Sequence, residues 1–185
     1  MAYQGFGYGL AEDGAVIGKF VAAGLSFFVS TSFSKSFSLY GERVGALSVV
    51  CASKDEAARV LSQLKIMIRT NYSNPPIHGA SIVARVLHTP ELRALWEQEL
   101  AEMRTRIKAM RGKLVQGLKD AGVEQDMGFI TDQIGMFSYS GLSKEQMVRL
   151  RSEFGVYGTD TGRMCVAALN SKNIDYVCQS IAKVV

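Results

Sequence analysis

The chain of 185 residues is 48% hydrophobic and 21% charged, which is typical of a globular protein with one large or two small domains. Its net charge of +4 comes from basic residues interspersed with acidic ones, so the composition does not favour nucleic-acid binding. No apolar run reaches the roughly 18 residues of a membrane span, and the first residues lack the basic-then-apolar pattern of a signal peptide. We therefore expect a cytoplasmic protein with neither nucleic acid nor membrane as a partner.

The cysteines and histidines predict neither a disulfide framework nor a metal site. Cys51, Cys165 and Cys178 are widely spaced and lack a Cys-x-x-Cys pairing, so we expect three reduced thiols. No partner for His78 or His88 can be identified, and we interpret both as structural or surface side chains.

Helical and strand patterns alternate at the start of the chain. Residues 12–21 predict a short helix that Gly24 ends. The apolar runs 25–29 and 43–50 are typical of buried strands. Lys35 is therefore expected in the connection between two strands.

Two capping signals predict the helices that follow. Ser53 and Glu56 have the spacing of a capping box, and the apolar stripe after them predicts a helix that packs on a sheet and ends near Arg69. Thr89-Pro90 is typical of a helix start, and apolar residues then recur every three or four positions as far as Leu118. At ~1.5 Å per residue such a helix would be on the order of 45 Å long, and we interpret it as a strut between two domains.

The last third of the chain predicts a small α+β domain. Strands are expected at 135–140 and 163–169, with a helix capped by Ser143 between them and a final helix after the second strand. We place the domains at 1–102 and 103–185.

A lysine within a run of hydroxyls is the most informative stretch. Five serines and Thr31 lie within residues 30–38, around Lys35, and Arg43 follows. A loop lysine is most often only a solvated residue. These hydroxyls and the planar guanidinium nevertheless suit a phosphate, and the amine suits condensation with a carbonyl. The stretch predicts a site for a phosphate-bearing carbonyl cofactor.

The same residues allow a serine acyl-transfer site as a rival hypothesis. Ser32 and Lys35 have the Ser-x-x-Lys spacing of β-lactamase-like enzymes, with Ser32 as nucleophile and Lys35 as base, and Tyr72-Ser73-Asn74 resembles a second element of those enzymes. No Lys-Thr-Gly follows, and the residues after Ser32 lack the helical character that this nucleophile requires. We therefore favour the cofactor site.

Three motifs carry a resemblance to a known enzyme family. They are Ala2-Tyr3-Gln4-Gly5-Phe6, the Ser-x-x-Lys run followed by Leu39-Tyr40-Gly41-Glu42-Arg43-Val44-Gly45, and Gly162-Arg163-Met164-Cys165-Val166-Ala167. Together they resemble the bacterial aromatic-amino-acid and aspartate aminotransferases, which are fold-type I pyridoxal-phosphate enzymes. The resemblance covers the whole chain but only the C-terminal portion of the longer family members, so we expect a fragment. It implies an α/β fold, with part of the cofactor-binding large domain joined by a long helix to a small α+β C-terminal domain.

The resemblance assigns four residues to pyridoxal 5'-phosphate. Lys35 matches the lysine that binds the cofactor covalently, and Ser32 and Arg43 match residues at its phosphate. Tyr3 matches the tyrosine whose hydroxyl bonds the ring oxygen, although a buried strand tyrosine would also explain it.

Three more residues are implied in substrate binding. Arg163 matches the arginine that binds the α-carboxylate; a surface arginine is the weaker explanation, because a charge at the start of an apolar strand must find a partner. Arg69 matches the arginine that reaches the neighbouring subunit's site and receives the side-chain carboxylate of dicarboxylic substrates, which implies a homodimer. Phe137 is expected to line the substrate pocket, although a core phenylalanine explains it nearly as well.

The implied reaction transfers an amino group from an aromatic or dicarboxylic L-amino acid to a 2-oxo acid such as 2-oxoglutarate, with Lys35 as general base and acid. The motifs look closer to the aromatic branch. The C-terminal portion lacks the family's ring-stacking aromatic and the aspartate that pairs with the pyridine nitrogen, so we expect the isolated chain to be close to inactive. A catalytically inert half-molecule that serves only as a folding or interaction piece is the alternative.

Overall fold

The computed structural model describes all residues, Met1–Val185, as two compact units, Met1–Ala101 and Glu102–Val185. None of its helices combines the length and the apolar character that a membrane span requires. The helices are α1 (Leu10–Ala22), α2 (Lys54–Asn71), α3 (His78–His88), α4 (Pro90–Asp120), α5 (Lys144–Phe154) and α6 (Ile174–Ala182), and the strands are β1 (Phe27–Ser32), β2 (Gly45–Val50), β3 (Phe137–Tyr139) and β4 (Arg163–Cys165).

The long helix that the apolar periodicity predicts is present as the 31 residues of α4, which begins at Pro90 as expected. The boundary between the two compact units falls within this helix. The assignment of 1–102 and 103–185 to two domains of a longer protein stays a prediction.

The first unit contains a two-stranded antiparallel sheet. Strands β1 and β2 pair from Phe27 opposite Val50 to Ser32 opposite Gly45, and residues 33–44 connect them. The Phe33 amide donates to the Val44 carbonyl at 3.2 Å and continues the ladder into this connection. Lys35 therefore lies in a loop closed at its base by paired strands, as the sequence predicts.

The expectation that these strands are buried is not met within this chain. Phe28 is 67% exposed and Leu47 is 52% exposed. Helix α2 forms as predicted but has no buried residue, and Leu61 of its apolar stripe is 52% exposed. The apolar pattern is that of covered strands, but within the first unit a large part of their apolar surface stays exposed.

The cap of α2 is a variant of the predicted one. The Ser53 hydroxyl accepts from the Glu56 amide at 3.1 Å, as a capping box requires. The Glu56 carboxylate, however, accepts from the Ala52 amide at 2.8 Å rather than from Ser53. The helix start is the same, because both acceptors still satisfy amides at its N-terminus.

The second unit has a closed apolar core. Helix α5 begins with a full capping box between Ser143 and Gln146, as predicted. Strands β3 and β4 pair antiparallel, with Phe137 opposite Cys165. The core side chains come from α4, α5, α6 and the segments between them: Ile107, Met110, Leu114, Leu118, Met127, Ile130, Leu142, Met147, Leu150, Val166, Leu169, Ile174, Val177, Cys178, Ile181 and Val184.

The predicted strand at 163–169 is too long, and so is the one at 135–140. Strand β4 ends at Cys165, and Val166–Ala168 form a 3₁₀ turn. The Arg106 guanidinium donates to the carbonyls of Ala167 and Leu169, both at 2.9 Å. These carbonyls therefore bond to a side chain of α4 and not to a neighbouring strand, while the Ala167 amide still donates to the Met136 carbonyl at 3.2 Å.

Candidate functional site

The loop that carries Lys35 is built from short turns with buried hydroxyls on either side of the lysine. Ser34 is 4% exposed and Ser36 is 9% exposed, whereas Lys35 between them is half-buried. The Phe37 amide donates to the Phe33 carbonyl at 3.2 Å, and the Ser38 amide donates to the Lys35 carbonyl at 3.1 Å. The lysine is thus held at a turn whose flanking residues anchor the loop.

Aromatic contacts fix this loop to the start of α4. Phe33 and Phe37 meet edge to face with ring centroids 5.5 Å apart, and Phe37 stacks on Trp96 at 4.5 Å. The Trp96 indole nitrogen donates to the Ser36 carbonyl at 2.7 Å. Trp96 is the single tryptophan of the chain, and the sequence pattern identified it only as part of an apolar stripe.

Two tyrosine rings face the Lys35 ammonium. Its Nζ lies 5.4 Å from the centroid of the Tyr3 ring and 5.7 Å from the centroid of the Tyr40 ring. Both distances fall within the range of cation–π contacts. The structure therefore brings together Lys35 and Tyr3, two of the predicted cofactor residues. Sequence reasoning missed the role of Tyr40, although it stands inside the motif that carried the resemblance.

The turn that presents Tyr3 is held by a carboxylate from α1. Asp13 Oδ2 accepts from the Gly5 amide at 2.8 Å and the Gly7 amide at 2.9 Å, and Oδ1 accepts from the Tyr8 amide at 2.9 Å. Partial burial acts to raise the pKa of the Asp13 carboxyl, but the hydrogen bonds from these backbone amides outweigh it and hold the pKa below its ordinary value.

Ser32 and Arg43 lie at the base of the lysine loop. Ser32 is the last residue of β1, and its Oγ accepts from the Ser34 amide at 3.3 Å. Because Ser32 pairs with Gly45, Arg43 lies close to the same end of the sheet along the chain. Arg43 has a left-handed backbone with φ 51°, and its Nη1 donates to the Tyr40 carbonyl at 2.9 Å. Its side chain is exposed, so a cation is available at this end of the loop.

A glycine of α3 permits close packing beside Arg43. A Cβ built on Gly79 would lie 3.1 Å from both Glu42 Cβ and Val44 Cβ. The neighbours of Arg43 on both sides therefore contact the start of α3 closely, which fixes the exit of the lysine loop.

The geometry of Ser32 does not suit the rival acyl-transfer hypothesis. That hypothesis needs Ser32 at the start of a helix, so that the serine and Lys35 lie on one face. Ser32 instead ends a strand, and the residues after it form turns.

The second unit places Arg163 and Phe137 together. They lie on the paired strands β4 and β3, and the Arg163 guanidinium carbon is 5.0 Å from the centroid of the Phe137 ring. The Arg163 amide donates to the Thr159 hydroxyl at 3.1 Å, while its side chain is exposed. An exposed guanidinium held against an aromatic face suits a carboxylate ligand.

A buried arginine that the sequence analysis missed supports this pair of strands. Arg111 of α4 is 4% exposed, and its guanidinium donates to Ser138 Oγ at 3.1 Å and to the carbonyls of Gly135 and Phe137 at 2.6 and 3.2 Å. Burial lowers the pKa of the Arg111 guanidinium. The sequence does contain a signal for this buried arginine, because Arg111 stands four positions after Ile107 and so lies on the apolar stripe of the helix.

Arg69 lies on α2, a helix that carries none of the other predicted site residues. It occupies the last turn of α2, is exposed, and donates to the Ser73 hydroxyl. Its predicted role at the site of a neighbouring subunit stays a prediction.

Comparisons with known proteins agree over the whole chain. The family model for aminotransferase class I and II matches residues 1–181. An aspartate aminotransferase of Pseudomonas aeruginosa is 61% identical over 100% of this chain and 46% of the relative, and an aromatic-amino-acid aminotransferase of Escherichia coli is 53% identical with the same coverage. The crystal structure of an aromatic-amino-acid aminotransferase from Burkholderia pseudomallei, covalently bound to pyridoxal phosphate, superposes with a TM-score of 0.96 at 66% identity over 99% of this chain and 46% of that one.

The chain thus spans about half the length of the relatives that it matches, at 46% of each. The likeness of its fold to the solved aminotransferase confirms the fold class that the motifs predict. Because the family model matches 181 of the 185 residues, the chain belongs to the class I and II aminotransferase family.

Proposed function

We propose that this chain is the C-terminal portion of an aminotransferase that uses pyridoxal 5'-phosphate. The reaction would transfer an amino group from an aromatic or dicarboxylic L-amino acid to a 2-oxo acid such as 2-oxoglutarate. One observation carries the proposal above the others. It is the half-buried amine of Lys35, held at an anchored turn between the rings of Tyr3 and Tyr40.

The residues of the first unit fit a phosphorylated carbonyl cofactor. Lys35 offers a primary amine, and the exposed guanidinium of Arg43 offers a planar cation that binds a phosphate dianion at two points. The Ser32 hydroxyl adds a donor, and the Tyr3 ring lies beside the amine. Pyridoxal 5'-phosphate, when bound, would supply an aldehyde for the amine and an electron-accepting ring.

In this proposal Lys35 holds and moves one proton. Its amine would take the proton from the substrate Cα as general base and would then deliver it, as general acid, to the carbon that was the cofactor's carbonyl. The neighbouring tyrosine rings position the nitrogen and attract it when it is protonated, because the ring faces are electron-rich.

The second unit would recognise the substrate. The exposed Arg163 guanidinium would bind the α-carboxylate as a charge-assisted bidentate pair, with Phe137 keeping it oriented. Arg69 would bind the side-chain carboxylate of dicarboxylic substrates in the site of a second copy, so the proposal includes a homodimer of the longer protein. A cytoplasmic location is part of the same proposal.

The test is covalent trapping at Lys35. The chain is incubated with pyridoxal 5'-phosphate, reduced with borohydride and digested, and the modified lysines are located by mass spectrometry. We expect the label at Lys35, no label at this position in Lys35→Ala, and full labelling of Lys35 in the control variant Lys19→Ala, since Lys19 lies on an exposed face of α1. Label spread over surface lysines with none at Lys35 would refute the cofactor site.

Arg43 tests where the phosphate binds. Arg43→Ala should weaken retention of the cofactor by roughly 1–3 kcal/mol, because a charged hydrogen-bonded pair is lost. Arg59→Ala changes an exposed arginine of α2 in the same unit and should leave the affinity unchanged. Equal affinity in Arg43→Ala and the parent chain would place the phosphate elsewhere.

One observation favours the inert half-molecule as a second candidate. The sheet and α2 of the first unit expose large apolar side chains, among them Phe28 and Leu61. Such surface favours self-association or binding of a covering partner. We expect a negligible rate in a coupled assay with tyrosine and 2-oxoglutarate, and association in a sedimentation run. A fully active, monodisperse monomer would contradict this expectation.

A further inference from the structure

We propose that Asp13 is a positioning residue that sets the Tyr3 ring against the Lys35 ammonium. The functional value of this contact rests on the proposed function, in which Lys35 reacts with the cofactor. The placement itself is a property of the first unit and is tested without cofactor.

The first step is the convergence of backbone amides on one carboxylate. Asp13 accepts from the amides of Gly5, Gly7 and Tyr8 at 2.8 to 2.9 Å. A carboxylate of the first turn of α1 therefore gathers the segment that follows Tyr3 into a closed turn. Amides that point toward one anion would repel one another without it, so the charge is part of what keeps the turn closed.

The second step is the rigidity of the same turn. The Phe6 amide donates to the Tyr3 carbonyl at 3.1 Å, and the Phe6 side chain is 4% exposed. Gly5 has φ 93°, and a Cβ on it would lie 2.5 Å from Leu100 Cδ2, so the backbone lies directly against α4. With Phe6 buried and Gly5 in contact with α4, the carboxylate determines how the remaining amides are oriented.

The third step links the turn to the lysine. Tyr3 is the first residue of this turn, and its ring centroid is 5.4 Å from Lys35 Nζ. Tyr40 belongs to the lysine loop itself and does not depend on Asp13. Loss of the Asp13 carboxylate should therefore release one of the two rings from Lys35 and leave the other.

The experiment measures the reactivity of Lys35 by competitive acetylation with limiting acetic anhydride and peptide mass spectrometry. Tyr3→Leu removes the ring and should raise the acetylation rate of Lys35 roughly two- to fivefold, the range of an exposed cation–π contact, whereas Tyr3→Phe keeps the ring and should not. Asp13→Asn should raise the rate in the same direction. The double variant Asp13→Asn/Tyr3→Leu should react no faster than Tyr3→Leu, because Asp13 acts through Tyr3.

Controls separate positioning from general loss of structure. Glu91→Gln changes another first-turn carboxylate of the same unit and should leave Lys35 reactivity unchanged. Hydrogen exchange of residues 3–9 should accelerate in Asp13→Asn, while Trp96 fluorescence stays that of the parent chain. If Asp13→Asn changes Trp96 fluorescence, Asp13→Glu serves as the second variant. It keeps the negative charge but displaces the carboxylate oxygens. We expect it to raise the acetylation rate of Lys35 by a smaller factor than Asp13→Asn does.

Each remaining outcome overturns the inference. Faster exchange at residues 3–9 with unchanged Lys35 reactivity would make Asp13 a purely structural residue of the turn. Additive rates in the double variant would show that it acts on Lys35 by another route. Labelling of Lys35 by pyridoxal 5'-phosphate is scored separately, so its absence refutes the proposed function without altering the acetylation result.

Discussion

The unit Glu102–Val185 has a closed apolar core, whereas the unit Met1–Ala101 has few buried apolar side chains and many exposed ones. In the second unit Leu114 is 0% and Leu118 1% exposed. In the first unit the buried apolar residues are Phe6, Val83 and Leu100. The residues of the proposed cofactor site nevertheless lie in the less buried unit. The difference teaches that the closed core and the proposed cofactor site belong to different halves of this chain, and that the first unit exposes apolar surface that a further segment or partner could cover.

The largest effect should come from a core leucine of the second unit. Leu114→Ala should lower the free energy of unfolding by about 2–5 kcal/mol, because a fully buried side chain leaves a cavity. Leu61→Ala, at a leucine 52% exposed on α2, should change it by less than about 0.5 kcal/mol. Urea denaturation followed by circular dichroism measures both. Equal losses would abolish the contrast between the units.

The second-largest effect on stability should come from Arg111, the buried arginine of the second unit. Arg111→Leu should lower stability by about 1–3 kcal/mol, since three acceptors on or near β3 lose their donor. Arg149→Leu is the matched control, because its guanidinium pairs with Glu153 on the exposed side of α5, and we expect a markedly smaller loss there. Urea denaturation curves of the two variants measure both losses in the free energy of unfolding. A greater loss in the control would show that the Arg111 network is not what holds β3.

Thiol reactivity probes how closed the core of the second unit is. Burial, followed by the charges of Asp175 and Asp120, raises the pKa of the Cys178 thiol to about 11. Cys165 is exposed. Iodoacetamide should therefore modify Cys165 at least roughly tenfold faster than Cys178, since the thiolate is the reactive form. Peptide mass spectrometry over time measures the two rates, and similar rates would mean that the core opens readily.

The smallest expected effect is the pH dependence of the stability that Asp13 gives the first unit. Because the pKa of Asp13 is lowered in the folded chain, its contribution to stability is present above the ordinary carboxyl value of 3.8 and is lost as the pH falls through the lowered value. The melting temperature of Asp13→Asn should thus lie below that of the parent chain near neutral pH, and the two should converge in acid. Trp96 fluorescence reports the transition of this unit. A gap that persists in acid would contradict the role of the charge.

The sequence predicted those features that depend on neighbouring residues. The cap of α5 at Ser143 and Gln146, the start of α4 at Pro90 and the loop position of Lys35 all follow from short-range patterns, and the structure has each of them. Such signals are readable because the bonds they form join residues close in the chain.

The features that sequence reasoning missed depend on distant residues or on cover that this chain does not supply. Beyond the end of strand β4, the carbonyls of Ala167 and Leu169 accept from Arg106, which is 61 and 63 positions away in the sequence. The carboxylate of Asp13 accepts from amides five to eight positions before it, in a turn that no short sequence motif marks. The apolar pattern of β1 is right for a covered strand, but a pattern does not state which chain segment provides the cover.

Arg43 illustrates how a screen for heat resistance could mislead. Its left-handed backbone, with φ 51°, costs a side-chain-bearing residue about 1–2 kcal/mol that glycine would largely avoid. A library ranked by melting temperature would therefore enrich glycine at this position and discard the guanidinium proposed to bind phosphate. Natural sequences often retain such locally unfavourable residues where binding requires them. Directed evolution of this chain should accordingly select for cofactor retention together with thermal stability.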